Sequence, residues 1–271
     1  MFRSIAFGGG GVRGGLHIGA LMAIEKVRGN LLFPDGVYGS SIGSIIATAV
    51  AFQLNATQIR TMFDAHFHLS SVIPPLRLSS VHSYVSKKGA FSMDGLETTI
   101  LAAFDSQGVD LRNKSVKDAP QTLRIVASNL TTCKTTFLTG DVPLVKALLC
   151  SCCLPMVFEP QILYNNVYLD GGVCMGCLDK HVPADCLVIH ISRPPQPIYP
   201  GDLPFMTPLM YLGRLYDASR GETMQKNTLW IENLSIFIMQ EITPEQKQRL
   251  FDDGYSQTLA FLTQRGAKEG K

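Results

Sequence analysis

Three short stretches of this chain hold residue types at a spacing that can do chemistry. The first is Gly8-Gly9-Gly10-Gly11-Val12-Arg13-Gly14-Gly15, which follows a short apolar run and precedes residues with helical periodicity. A glycine-rich turn at a helix start aims backbone N–H groups at one point, with the positive end of the helix dipole behind them, and so favours an anion. Gly9, Gly11 and Gly14 fit G-x-G-x-x-G, so a dinucleotide pyrophosphate is one candidate. The oxyanion of a tetrahedral acyl-transfer intermediate is another. The second stretch, Gly39-Ser40-Ser41-Ile42-Gly43, weighs between them. A dinucleotide fold places an acidic residue at the end of the second strand to hold the ribose. Here that strand runs into G-x-S-x-G with Ser41 at its centre. This is the pattern of a nucleophile elbow, in which a tight strand-to-helix turn leaves the serine oxygen exposed. The oxyanion reading lets each motif supply what the other needs.

A serine nucleophile needs a base. The six histidines offer little. His190 lies inside the apolar run CLVIHIS, His181 in a polar loop, and His17 in the first helix. His66, His68 and His82 fall in a stretch without clear periodicity. The third stretch, Asp170-Gly171-Gly172, is the better source. Its aspartate closes a short strand and its glycines allow close backbone approach. A carboxylate hydrogen-bonded to a serine can take the proton directly.

The elements that must position these groups follow an α/β rhythm. Strand, glycine turn and helix occur twice in the first fifty-odd residues: a strand over 3–7 with a helix over 14–27, then a strand over 36–38 with an apolar helix over 44–53. Residues 61–93 read as an irregular excursion that could cover a site. A helix over 94–104 follows, capped by Asp94 or Ser92. Strands are expected over 123–128 and 134–139, and a helix over 143–153 with Pro143 in its first turn. Short strands then fall at 167–169 and 186–192. The last third reads as a helix, a strand near 235–239 and two amphipathic helices, with Pro194-Pro195 as the best linker. The expected organisation is a core over 1–193, with 194–271 packed on the same domain.

Composition limits the function classes. The 271 residues are 46% hydrophobic and 17% charged, which argues against a disordered chain. The formal net charge of +2, with no basic block, gives no pull toward nucleic acid. The apolar run at 45–52 is too short to span a bilayer, which takes about 20 residues. The N-terminus lacks the apolar core of a secretory signal. Seven cysteines, an odd number with several in apolar runs, suit reduced thiols in a cytoplasmic setting better than a disulfide framework. Peripheral contact with membranes stays open.

The combination GGGGVRGG, GSSIG and DGG, in this order, resembles the patatin-like phospholipase family. The likeness continues through Gly89-Ala90-Phe91-Ser92, through Val126-Ala127-Ser128-Asn129-Leu130-Thr131-Thr132, and through Pro143-Leu144 to Cys153-Leu154-Pro155 and Phe158-Glu159-Pro160. It covers roughly residues 3–180. The resemblance implies a three-layer α/β fold whose central, mostly parallel sheet has helices on both faces. It implies a lipid acyl hydrolase with a Ser–Asp dyad and no calcium in the chemistry. Ser41 would be the nucleophile and Asp170 the base. Backbone N–H groups of Gly10, Gly11 and Val12, within the loop that includes Gly9, Arg13 and Gly14, would form the oxyanion hole. Gly39, Ser40, Ile42 and Gly43 would shape the elbow, and Gly171 and Gly172 the aspartate loop. The expected substrate is a phospholipid or lysophospholipid ester met at a membrane or micelle surface. A triacylglycerol lipase or general esterase, and a catalytically idle scaffold, are the alternatives.

Two departures from that family pattern stand out. Val173-Cys174-Met175-Gly176-Cys177-Leu178 follows D-G-G where relatives commonly carry asparagines and a proline. Cysteines also occupy 150, 152 and 153, at a helix end that is commonly serine-rich. Cys174 and Cys177 form C-x-x-C, but Cys186, His181 and His190 complete no familiar four-ligand spacing, so no metal or cofactor is expected. The apolar residues of the excursion and the stretch 205–212 are candidates for a lid or a lipid-facing surface.

Overall fold

The computed structural model describes residues 2–75, 78–175, 177–192, 198–206, 211, 214–215, 227–233, 236 and 239–269. In chain order the elements are β1 (Ser4–Phe7), α1 (Gly15–Arg28), β2 (Gly36–Ser40), α2 (Ile42–Ala51), α3 (Ala56–His66), α4 (Leu69–Val72), α5 (Leu78–Lys87), β3 (Gly89–Phe91) and α6 (Asp94–Asp105). There follow β4 (Leu123–Asn129), β5 (Lys134–Leu138), α7 (Leu144–Cys152), β6 (Met156–Phe158), β7 (Gln161–Leu163), β8 (Asn166–Asp170), α8 (Gly172–Met175), β9 (Leu187–Ser192), β10 (Thr228–Glu232) and α9 (Pro244–Glu269). Short 3-10 turns span Gly11–Gly14 and Leu178–His181. No described helix is long and apolar enough to cross a membrane.

The protein is a mixed α/β structure around one large sheet. β10, β9, β1, β2 and β4 lie side by side, and every neighbouring pair among them is parallel. Antiparallel pairing enters at β4, which pairs with β5 and β8, while β7 pairs with β8. The register on β4 decides where the ends of β2 and β8 lie. Ile125 and Val126 pair with both β2 and β5, so those two strands occupy opposite edges of β4. Ala127, Ser128 and Asn129 pair with β5 and β8, so β8 shares the β2 edge. Ser40, the last residue of β2, is opposite Val126, and Asp170, the last residue of β8, is opposite Ala127. The two strands therefore meet head to head, and their C-terminal ends converge.

The sheet buries two unequal faces. Ile5, Phe7, Val37, Ile125, Ala127, Leu187, Ile189 and Ile191 point into one large cluster with residues of α1, α2, α6, α7 and α9. Ala6, Tyr38, Val126 and Val188 point the other way, onto Met175, Leu178, Val182 and Cys186. Such double burial explains why β1 is apolar without alternation. α2 is buried at all ten positions, as expected of a helix that is apolar all round. α9 packs along α1 with backbones in contact: a Cβ on Gly19 would lie 2.7 Å from the amide nitrogen of Tyr255. The C-terminal stretch thus adds both an edge strand and a covering helix to the sheet.

Several local expectations differ from the structure. The excursion is largely helical, as α3, α4 and α5. Its first helix carries a capping box, in which Asn55 Oδ1 accepts from the Gln58 N–H and Gln58 Oε1 accepts from the Asn55 N–H. The N-cap position of α6 is Met93, with no side-chain capping bond, and Ser92 instead donates to the Asp94 carboxylate at 2.8 Å. Pro143 is the N-cap of α7 rather than a residue of its first turn. The short strands β3, β6 and β7 were not expected, and β3 pairs with β6 as a separate two-stranded sheet. One long helix stands where two amphipathic ones were expected. The late strand is at Thr228–Glu232; of the expected 235–239, Ser235, Phe237 and Ile238 lie outside the described residues. The Pro194-Pro195 linker, the 193/194 boundary, Gly176, Leu76 and most of 207–212 also lie outside them.

Candidate active site

Ser41 occupies the turn between β2 and α2 with φ 56° and ψ −133°, a left-handed backbone that is strained for a residue with a Cβ. The turn must be tight, because α2 starts over the end of β1. A Cβ on Gly43 would lie 2.5 Å from Gly8 O and closer still to Phe7 O, so only glycine fits. The amide of Ser41 donates to Ser151 Oγ at 3.0 Å, and Ser151 Oγ donates to Val126 O at 2.6 Å. The Ser41 carbonyl accepts from the Ser44 hydroxyl at 2.6 Å and from its amide at 2.8 Å. Each bond offsets part of the local strain.

The glycine loop lies directly against this serine. A Cβ on Gly9 would be 3.2 Å from Ser41 Cβ and 3.8 Å from its Oγ. The loop is held at both ends: Gly8 N–H donates to Ile189 O at 2.9 Å and Arg13 N–H donates to Gly10 O at 3.2 Å. Gly11 takes φ 56°, and Gly14 leads into α1. Arg13 is 1% exposed, and its Nε reaches Gly10 O at 3.4 Å. It is folded into the loop rather than offered to a ligand.

Asp170 is 3% exposed and brought in by the head-to-head strands. Its Oδ1 accepts from the Gly172 N–H at 3.0 Å, which orients the carboxylate. Its own amide donates to Cys153 O at 2.8 Å, and the Gly171 amide donates to Ser151 O at 3.2 Å. Ser128 Oγ donates to Gly171 O at 3.1 Å and accepts from the Cys174 N–H at 2.9 Å. A Cβ on Gly171 would be 2.5 Å from Val126 O, so the aspartate loop sits hard against β4. Ser128 and Ser151 thus brace the loop and the elbow, and sequence reasoning missed both. Their only signal was a serine standing among cysteines at 150–153 and another in the stretch 126–132.

Gly9, Gly10, Gly11, Val12, Ser41, Ile42, Asp170, Gly172 and His190 all line one cavity of about 1130 Å³, a volume that includes its open mouth. Its remaining walls are mostly apolar: Ile45, Phe63, Phe67, Leu69, Val72, Ile73, Leu96, Leu154, Phe158 and Met239 among them. The helical excursion is therefore a wall of the cavity. Among its histidines only His68 reaches the lining, where it is an exposed residue. His181 is also exposed and bonds Met175 O through Nε2 at 2.9 Å. Burial pushes the thiols of Cys150, Cys152 and Cys153 up, so these neighbours stay protonated and do not compete as nucleophiles.

His17 has a structural task. It is fully buried, its ring edge packs on Phe7 at 5.3 Å, and its Nε2 donates to Gly8 O at 2.8 Å. Burial lowers its pKa to about 4. The neutral ring is therefore the native form, and the unfolded chain takes up a proton first as pH falls. Stability is full above the ordinary imidazole value near 6.5 and is lost as pH drops toward 4, by about 3 kcal/mol in total. Urea midpoints at pH 7 and pH 4.5 should show this loss in the wild type and a smaller one in His17→Gln. Equal losses in both would place the acid sensitivity elsewhere.

A strained serine at a strand-to-helix turn, a glycine loop against it and a carboxylate thus share one cavity of a mixed α/β fold. The model of the patatin-like phospholipase family matches residues 5–178, and the chain belongs to that family. A probable lipid hydrolase of Invertebrate iridescent virus 6 is 26% identical over 182 residues, covering 64% of this chain and 60% of the relative. An uncharacterised protein of Acanthamoeba polyphaga mimivirus is 27% identical over 181 residues, covering 63% and 58%. The matched stretch is thus about three fifths of the length of these relatives. The crystal structure of VipD from Legionella pneumophila superposes with a TM-score of 0.60 at 15% identity, covering 97% of this chain and 67% of VipD. That likeness is one of fold.

Proposed function

We propose that the chain is a lipid acyl hydrolase that cleaves the carboxylic ester of phospholipids or lysophospholipids through Ser41 and Asp170. The observation that carries this is the shared cavity: the elbow serine, the glycine loop and the buried aspartate open onto one mostly apolar chamber. Family membership supports the lipid ester as substrate.

The chemistry follows from the positions. The acyl chain lies along Phe63, Phe67, Leu69, Val72 and Phe158, which sets the ester carbonyl over Ser41. Ser41 Oγ attacks the carbonyl carbon while its proton passes to Asp170. The carbonyl oxygen becomes an oxyanion facing the N–H groups of Gly10, Gly11 and Val12. The tetrahedral intermediate collapses, and Asp170 returns the proton to the leaving alcohol. Water then enters, gives a proton to Asp170 and attacks the acyl-serine; the second tetrahedral intermediate collapses as Asp170 returns that proton to Ser41 Oγ, and the fatty acid leaves. No step calls for calcium.

A second reading, a neutral-lipid lipase or general esterase, is favoured by one feature. Among the described residues lining the cavity there is no lysine or arginine, so the lining reads the acyl chain and not an anionic head group. The substrate arrives from a membrane or micelle surface. Tyr199 at 64% exposure and Phe205 at 85% are suited to such transient contact. Five of the seven cysteines are buried in the apolar interior, which suits a reducing, cytoplasmic setting better than a disulfide framework.

Hydrolysis of mixed phospholipid vesicles without added calcium, run beside triacylglycerol emulsions and labelling with a fluorophosphonate, tests this. Fatty-acid release from the vesicles together with labelling at Ser41 is the expected result. Release from triacylglycerol alone selects the second reading. No labelling and no release on any ester would make the chain a lipid- or protein-binding scaffold.

A further inference from the structure

Cys177, Asp179 and His190 converge beside the root of the glycine loop. One ligand atom from each, a thiol sulfur, a carboxylate oxygen and a ring nitrogen, lies within 4.8 Å of the other two. Cys177 and Asp179 are fully buried and His190 is 4% exposed. The first two come from the chain that follows Asp170, the third from β9, so the group joins segments that local sequence does not join.

The histidine is fixed in a direction. Its ring stacks on Trp230, with centroids 4.5 Å apart and planes at 19°. Nδ1 lies on the Gly8 side, where a Cβ on Gly8 would come within 2.7 Å of it. Nε2 faces Asp179 Oδ1 at 3.9 Å. Neither Cys177 nor Asp179 belongs to the described lining of the catalytic cavity.

The geometry points to a zinc site formed by Cys177 Sγ, an Asp179 carboxylate oxygen and His190 Nε2. Thiolate with imidazole selects a borderline-soft ion and argues against magnesium or calcium, which take oxygen donors. Zinc bonds of about 2.0–2.3 Å set donors roughly 3.3–3.8 Å apart, so atoms that now lie within 4.8 Å of one another close by less than about 1 Å each. Water completes the fourth position. Binding displaces the Cys177 thiol proton to solvent, while Asp179 binds as carboxylate and His190 as neutral imidazole. The ion would tie the aspartate loop to β9 next to Gly8, bracing both halves of the cavity without entering the ester chemistry. The C-x-x-C pattern pointed to the wrong partner: the cluster takes Asp179 in place of Cys174.

The test is metal binding, read independently of hydrolysis. The purified full chain is equilibrated with zinc sulfate, freed of unbound ion by gel filtration and analysed for metal by mass spectrometry. One zinc per chain is expected in the wild type, in Cys133→Ala, which removes the exposed thiol, and in Ser41→Ala. At least a tenfold lower content is expected in Cys177→Ala and Asp179→Asn. Cobalt(II) in place of zinc should give the wild type a thiolate-to-metal charge-transfer band, a reading that needs no folded variant. No zinc in the wild type, no such band, or full zinc in both cluster variants would each overturn the proposal. Loss of hydrolysis in Ser41→Ala with zinc retained keeps this result separate from the catalytic one.

Discussion

Ser41→Ala is expected to lower ester turnover by roughly 10,000-fold or more, to the level left by substrate binding and the oxyanion loop. Asp170→Asn should fall as far. The amide keeps the volume of the carboxylate, and its oxygen can still accept from the Gly172 N–H, so the loop geometry is preserved while the proton acceptor is lost. The double variant should be no worse than either single one, because in the proposed mechanism nucleophile and base act as a unit. Initial rates on vesicles, with the fluorophosphonate labelling rate beside them, give the comparison. If Asp170→Asn keeps more than about a tenth of wild-type turnover, another group takes the proton. His190 and His68 are then the next residues to replace, since both reach the cavity.

The second large effect is expected at Gly43, where a single methyl group meets two backbone carbonyls. A Cβ there would lie 2.5 Å from Gly8 O and nearer to Phe7 O. Neither can retreat: Phe7 is fully buried in β1, which is paired on both sides, and the Gly8 amide is bonded to Ile189. Gly43→Ala should therefore cost about 3 kcal/mol, at the upper end of overpacking. At roughly 2–4 °C per kcal/mol for a chain of this size, the melting temperature should fall by roughly 6–12 °C. Calorimetry reads that shift. Labelling of the folded fraction by fluorophosphonate should also slow, because the methyl displaces the first residue of the glycine loop and the serine turn together. A variant that melts within a degree or two of wild type and labels at the same rate would show that the elbow is looser than its contacts imply.

How much of this was legible before the structure depends on distance along the chain. The strand, turn and helix around Ser41 are written within a dozen residues, since apolar runs and glycines act on their immediate neighbours. The same holds for the glycine loop before α1 and for the strand ending at Asp170. The helices α3 to α5 were missed although Asn55 and Gln58 carried the capping signal, because the prolines and serines further on obscured the periodicity. The cap of α6 was misread because Ser92 and Asp94 satisfy each other rather than the helix.

The sequence by itself determined the types of chemical group, the α/β rhythm and the local turns that make a serine and a carboxylate available. The tertiary structure decided that β2 and β8 meet end to end on one edge of β4, so that Ser41 and Asp170 open on the same cavity. It also decided that Ser151, 110 positions from Ser41, would hold the elbow amide, and that Cys177 and Asp179 would gather around His190. Strand register is set by which faces become buried when distant segments pack. No local propensity encodes that choice, because its free energy belongs to contacts between residues far apart in the chain.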